Sequence, residues 1–62
     1  MERIVEIYKS ANGDEKNKII HDLCFLCSAS IATVQGWVRG YHKPTRPTIN
    51  IIDNYVKENY EK

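Results

Sequence analysis

The chain has 62 residues, of which 42% are hydrophobic and 27% are charged, with a net charge of +1. This is the composition of one small globular domain, and it leaves little room for an enzymatic pocket beside the core. No apolar run approaches the roughly 20 residues of a membrane span, and the charged start Met1-Glu2-Arg3 is unlike a signal peptide. We therefore expect one cytoplasmic domain over residues 1–62, neither an enzyme nor a membrane protein, with no small-molecule substrate.

Positive charge is concentrated in the middle of the sequence. Residues 27–52 carry Arg39, Lys43 and Arg46 and no acid, whereas residues 1–26 and 53–62 each hold one more acid than base. Such a distribution is typical of a surface that binds a polyanion. The alternative is a solvated basic loop with no partner.

The first helix is predicted over residues 2–10. Its apolar side, spaced as one face of a helix, consists of Ile4, Val5, Ile7, Tyr8 and Ala11. Asn12-Gly13 should break this helix, and Asp14 is the expected N-cap of a second helix.

The second helix is predicted over residues 15–27. Its apolar arc consists of Ile19, Ile20, Leu23, Cys24, Leu26 and Cys27, whereas Phe25 points away from it. Cys24-x2-Cys27 could serve a metal, but the only further candidate ligands are His21, off the apolar face, and His42, in a distant loop. We therefore expect the cysteines to fill the core as small hydrophobes, with no metal and no cofactor.

Ser28-Ala29-Ser30 forms a short turn into a third helix, predicted over residues 31–39. Ser30 is its expected cap and Gly40 its expected end. A loop with Pro44 follows, and Pro47 suits the first turn of a last helix that reaches about residue 61. The sequence thus predicts an all-α domain of four to five helices.

Two short helices joined by a three-residue turn, with a tryptophan in the second, are the parts of a helix-turn-helix. The run Leu23-Cys24-x3-Ser28-Ala29-Ser30-x3-Val34-x2-Trp37-x2-Gly40-x3-Pro44 resembles the phage-repressor-like family (Cro and lambda-repressor type, Xre). The resemblance covers about residues 14–60, and Ser28 departs from it where the family usually has glycine. It implies a small transcriptional regulator of phage or mobile-element type that binds double-stranded DNA.

By position, the resemblance implies that residues 31–39 lie in the major groove and that the following loop contacts phosphates. The implied base contacts are Ile31, Ala32, Thr33, Gln35 and Gly36. The implied phosphate contacts are Ser30, Arg39, Tyr41, His42, Lys43 and Arg46. Gln35 and Thr33 can hydrogen-bond a base edge, whereas Ile31 and Ala32 could pack on thymine methyl groups.

Gly36 is an unusual choice inside a helix, since glycine costs about 0.8–1 kcal/mol there relative to alanine. It either lets DNA approach the backbone or packs closely against another helix, and simple tolerance is the third possibility.

The last helix has an apolar side wider than one core requires, with Ile51 and Tyr55 at one edge. An uncovered pair there would form the interface of a homodimer, unless the N-terminal helix covers it. A different function also fits the modest net charge and the apolar third helix: a protein–protein interaction module of antirepressor type.

Overall fold

The computed structural model describes residues 2–61, which form four α-helices and no strand. The helices are α1 (Glu2–Ser10), α2 (Gly13–Cys27), α3 (Ile31–Val38) and α4 (Arg46–Tyr60). The predicted all-α fold is confirmed, and the two terminal residues of the expected domain lie outside the described range.

None of these four helices alone is long and apolar enough to cross a membrane. The pair α2 and α3 reaches that length and composition only when counted together across a bend of 115°.

The start of α2 differs from the prediction. Asn12, not Asp14, is the N-cap, and its side-chain oxygen accepts a hydrogen bond from the backbone N–H of Glu15 at 2.8 Å. An asparagine in extended backbone, three residues before a free N–H, satisfies one of the unpaired donors of the first turn. Gly13 and Asp14 therefore belong to the helix.

The turn between α2 and α3 depends on Ser28. Its backbone is left-handed, with φ 52° and ψ 44°, and the N–H groups of Ser28 and Ala29 both donate to the carbonyl of Cys24. This geometry ends α2 and bends the chain by 115° into α3. A non-glycine residue in this conformation costs about 1–2 kcal/mol.

The ends of α3 and the start of α4 follow the predicted signals closely. The Ser30 hydroxyl accepts from the N–H of Thr33 at 3.3 Å, which confirms the cap. Arg39 is the C-cap, and Gly40 follows it with φ 81°, so the glycine ends the helix as predicted. Helix α4 starts at Arg46 with Pro47 in its first turn, as predicted for this proline.

All four helices contribute to one core, and α1 and α2 each contact the three other helices. The buried side chains are Ile4, Ile19, Ile20, Leu23, Val34, Trp37, Val38, Ile52, Tyr55 and Val56. Helix α3 commits one face to this core and depends on it, because eight residues are too few for a helix to be stable alone.

The end of α2 is less buried than predicted. Phe25 is 85% exposed, as expected from its position off the apolar arc. Leu26, however, is 45% exposed, so its assignment to the buried arc is wrong: it lies at the edge of the arc, in the last turn. Cys24 and Cys27 are half-buried and pack against the core from outside, so they do not fill it as expected.

The prediction that Ile51 and Tyr55 form an uncovered pair on α4 is wrong for Tyr55, which is only 6% exposed. Its hydroxyl donates to a carboxylate oxygen of Asp22 at 2.7 Å, and the Lys18 ammonium lies 6.0 Å from its ring centroid. Helix α2 therefore supplies these contacts to Tyr55. The alternative to an exposed pair was that the N-terminal helix, α1, covers this edge of α4. Ile51 remains 37% exposed.

Two tyrosine–carboxylate hydrogen bonds connect α4 to α2. The second joins the Tyr60 hydroxyl to Glu15 at 2.9 Å, and the two tyrosine rings meet edge to face. The Tyr55 hydrogen bond is the main reason that the pKa of Asp22 is lowered; Lys18 lowers it further, and partial burial opposes both. The charged form of Asp22 therefore stabilises the folded state.

Trp37 is a large buried aromatic residue, only 8% exposed. We predict that Trp37→Ala lowers the free energy of unfolding by about 3–5 kcal/mol, which is comparable to the whole stability of so small a domain. Phe25→Ala is the matched control, since Phe25 is 85% exposed, and should change stability by less than about 0.5 kcal/mol. The two can be compared by circular dichroism during thermal unfolding; an unchanged melting temperature for Trp37→Ala would contradict this placement.

The Tyr55–Asp22 hydrogen bond should make part of the stability depend on pH. Because the pKa of Asp22 is lowered on folding, its contribution is complete above the unfolded pKa of about 3.9 and is lost as pH falls through the folded value. We predict that Tyr55→Phe lowers the free energy of unfolding by about 1 kcal/mol near neutral pH and by less below about pH 4. Tyr41→Phe, at a 75% exposed tyrosine, is the control. An equal effect at both pH values would argue against the carboxylate as the partner.

Candidate nucleic-acid interface

Helix α3 carries no charged side chain along its eight residues. Ala32 is exposed and Ile31 is 50% exposed, so both methyl-bearing side chains are accessible to a partner. Thr33 and Gln35, which have the polar side chains among the predicted base contacts, are half-buried. The exposed part of this helix therefore offers apolar contact first and hydrogen bonds second.

The polar groups at the start of α3 already bond to each other. The hydroxyls of Ser30 and Thr33 lie 2.9 Å apart, and Ser30 also caps the helix. A hydroxyl can donate one hydrogen bond and accept others, so each retains capacity for a further partner. Ser30 is exposed, so a further partner can reach its hydroxyl.

Gly36 is buried because the imidazole of His42 lies over it. A Cβ atom on Gly36 would come within 2.1 Å of Nε2 of His42, so no larger residue fits while the ring holds this position. Close packing is thus a sufficient reason for the glycine, against a loop side chain instead of another helix. A DNA strand would reach Gly36 only after His42 had moved away.

The predicted phosphate contacts of the loop divide between two grooves. Arg39 and Tyr41 line one, of about 390 Å³, whose other polar residues are Tyr8, Lys9 and Lys16. We call this the basic groove, because its three charged residues are all cations. It has no acidic lining residue.

His42 and Lys43 line the other groove, of about 310 Å³, together with Glu2 and Glu6 of α1. Lys43 also borders a further depression that contains Asp53 and Glu61. Carboxylates repel a phosphate, so this side of the loop is less favourable for DNA than the basic groove. Arg46 is exposed at the first residue of α4, outside both grooves.

Lys9 and Lys16 are residues of the basic region that the sequence analysis missed. They lie on α1 and α2, far from the basic middle of the sequence, and only the packing of those helices beside Arg39 reveals them. The Lys16 ammonium lies 5.4 Å from the centroid of the Tyr8 ring, which positions it by a cation–π contact. The excess of acids in residues 1–26 concealed this contribution.

The surroundings of Cys27 make its thiol less reactive. Partial burial raises the pKa of the Cys27 thiol, and the neighbouring Cys24 raises it further. A higher pKa means less thiolate, the form that reacts and binds metals. Within residues 2–61, no group of three or more His, Cys, Asp or Glu side chains is placed to hold a metal ion.

Exposed apolar side chains flank the turn between α2 and α3. Phe25 and Leu26 precede the turn, and Ile31 follows it; all three are at least 45% exposed. Exposed apolar residues that occur together mark surfaces that contact other molecules more often than single ones do.

The two glycines of this region should respond in opposite ways to alanine. We predict that Gly36→Ala leaves the melting temperature unchanged or raises it, because the helix gains about 0.8–1 kcal/mol and His42 is an exposed, movable side chain. Gly40→Ala should lower stability by about 1–2 kcal/mol, since φ is 81° there. Thermal unfolding measures both, and the imidazole NMR signals of His42 should shift in Gly36→Ala. Equal destabilisation by the two changes would mean that the His42 contact is essential to the fold.

Comparisons of this chain with protein-family models, with curated proteins and with solved structures found no match.

Proposed function

We propose that this protein binds double-stranded DNA sequence-selectively, as a small transcriptional regulator in the cytoplasm. The observation that carries the proposal is the arrangement of α2 and α3, joined by three residues at 115°. Helix pairs that insert their second helix into the major groove meet at about 90–120° through a turn of this length. Helix α3 would be the inserted helix.

The exposure of α3 supports this placement. Val34, Trp37 and Val38 are buried in the core, which leaves the opposite side of the helix for a partner. Ile31 and Ala32, at the N-terminal end, would pack on thymine methyl groups, since N-terminal residues of an inserted helix contact base edges. Gln35 and Thr33 would supply the hydrogen bonds to bases.

Phosphate contacts in the proposal come first from Arg39 and Tyr41. Both lie in the basic groove, where the charged neighbours are cations. Ser30 and Arg46, which are exposed at the starts of α3 and α4, are further candidates. His42 and Lys43 are secondary, because Glu2 and Glu6 share their groove.

The proposal includes a homodimer on a two-fold symmetric site, which is the usual arrangement for repressor-like domains. Its interface cannot use the Tyr55 ring as expected, because that ring is buried. Selection of bound sequences from a random duplex pool tests both parts: an enriched motif would support recognition, and its symmetry would report the oligomer. A role in a phage or mobile element rests on the resemblance alone.

Two substitutions should separate positioning from recognition. We predict that Arg39→Ala weakens binding to all duplexes alike and lowers by about 0.9 the salt slope, which is the slope of the logarithm of the binding constant against the logarithm of salt concentration. Gln35→Ala should instead change the enriched sequence at one position, at a cost of about 1–3 kcal/mol for binding the preferred base. Lys43→Ala should act like Arg39→Ala but more weakly, since acids surround Lys43. The reverse pattern, in which Arg39→Ala alters the preferred sequence and Gln35→Ala does not, would mean that the proposed orientation of α3 in the major groove is wrong.

A second candidate function is a protein–protein interaction module. The observation in its favour is the exposure of Phe25, Leu26 and Ile31 beside the turn. Salt dependence separates the two functions, because phosphate binding weakens steeply as salt rises, whereas apolar packing does not. Phe25→Ser should abolish partner binding under this second function and leave duplex binding unchanged under the first.

A further inference from the structure

The basic groove joins cations from three separate helices. Lys9 is in the last turn of α1, Lys16 is in the first turns of α2, and Arg39 caps α3. None of the three forms an ion pair with another described residue; the salt bridges of residues 2–61 involve Arg3 and Lys18 instead. Like charges held together without acids oppose folding, so an anionic partner would relieve the repulsion.

The hydrogen-bond donors of this groove suit a phosphate group. The guanidinium of Arg39 can donate two parallel hydrogen bonds, and lysine ammonium groups add donors and charge. Tyr41 is 75% exposed and offers a hydroxyl on the same groove. The cation–π contact with the Tyr8 ring, at 5.4 Å, favours a position of the Lys16 ammonium on this groove.

The location of the groove matches that of a DNA strand beside α3. Arg39 belongs both to the groove and to the C-terminal end of α3. From Ala32 to Arg39 the helix advances about 10 Å, close to the roughly 12 Å width of the major groove. With Ala32 at the base edges, Arg39 would therefore lie near a phosphate backbone.

We propose that Lys9 and Lys16 extend the DNA-binding surface beyond the loop, holding with Arg39 and Tyr41 one backbone phosphate of the duplex in the basic groove. This inference rests on the proposed DNA binding. It adds α1 and α2 to the interface and moves the main phosphate contact away from His42 and Lys43.

The test compares Lys9→Gln and Lys16→Gln with Lys57→Gln, a matched change on α4 outside the grooves described above. Binding of the 62-residue protein to a mixed-sequence duplex is measured by fluorescence anisotropy between about 50 and 200 mM salt. Lys9→Gln and Lys16→Gln should each lower affinity about threefold to fivefold, and together they should reduce the salt slope by a part of the roughly 0.9 that one phosphate contributes, since Arg39 remains. Lys57→Gln should change neither quantity, and thermal unfolding verifies that all variants are folded.

The two proposals fail in different ways. If the wild-type protein binds the duplex with a clear salt slope but Lys9→Gln and Lys16→Gln match Lys57→Gln, the phosphate site is wrong and the proposed function stands. If the wild-type protein shows no salt-dependent binding, both are wrong. Loss of affinity for only some duplex sequences would also overturn the site, because a phosphate contact does not distinguish bases.

Discussion

The left-handed backbone of Ser28 is the constraint on which the arrangement of α2 and α3 depends. It ends α2, directs two N–H groups to one carbonyl and bends the chain by 115°. With that bend, Val34 and Trp37 of α3 reach the core while Ala32 stays exposed. Serine accepts this conformation at a cost of about 1–2 kcal/mol, and the burial of the α3 side chains offsets it.

The packing of the core also determines where the surface charges lie, because it holds α1 and α2 beside the end of α3. This packing places Lys9 and Lys16 next to Arg39 and leaves Glu2 and Glu6 on the other side of the loop. The surface therefore has a basic side and a mixed side, although the net charge is only +1. For a polyanion the local distribution of charge matters more than the total, since screening limits each interaction to about 10 Å.

The contact between His42 and Gly36 connects the loop to α3. Because Gly36 has no side chain, the imidazole lies against the helix at that position. Tyr41 enters the basic groove, whereas Lys43 enters the mixed one. The residues on either side of His42 therefore differ in the charges that surround them.

Local signals in the sequence were enough to determine the helices and most of the core. Ser30, Gly40 and Pro47 mark helix ends by chemistry that acts within a few residues, and the spacing of apolar residues identifies the buried faces. Only the tertiary structure decided the contacts at the edges of those faces: Tyr55 is covered because Asp22 and Lys18 of α2 reach it, and Leu26 is not covered.

The candidate site shows the same division. The sequence indicated α3 and the basic loop as parts of the candidate site, since each is a continuous segment of the chain. It could not place Lys9 and Lys16 beside Arg39, or His42 over Gly36, because these contacts depend on the angles at which separate helices and the loop pack. Packing angles arise from the whole core, and no short stretch of residues records them.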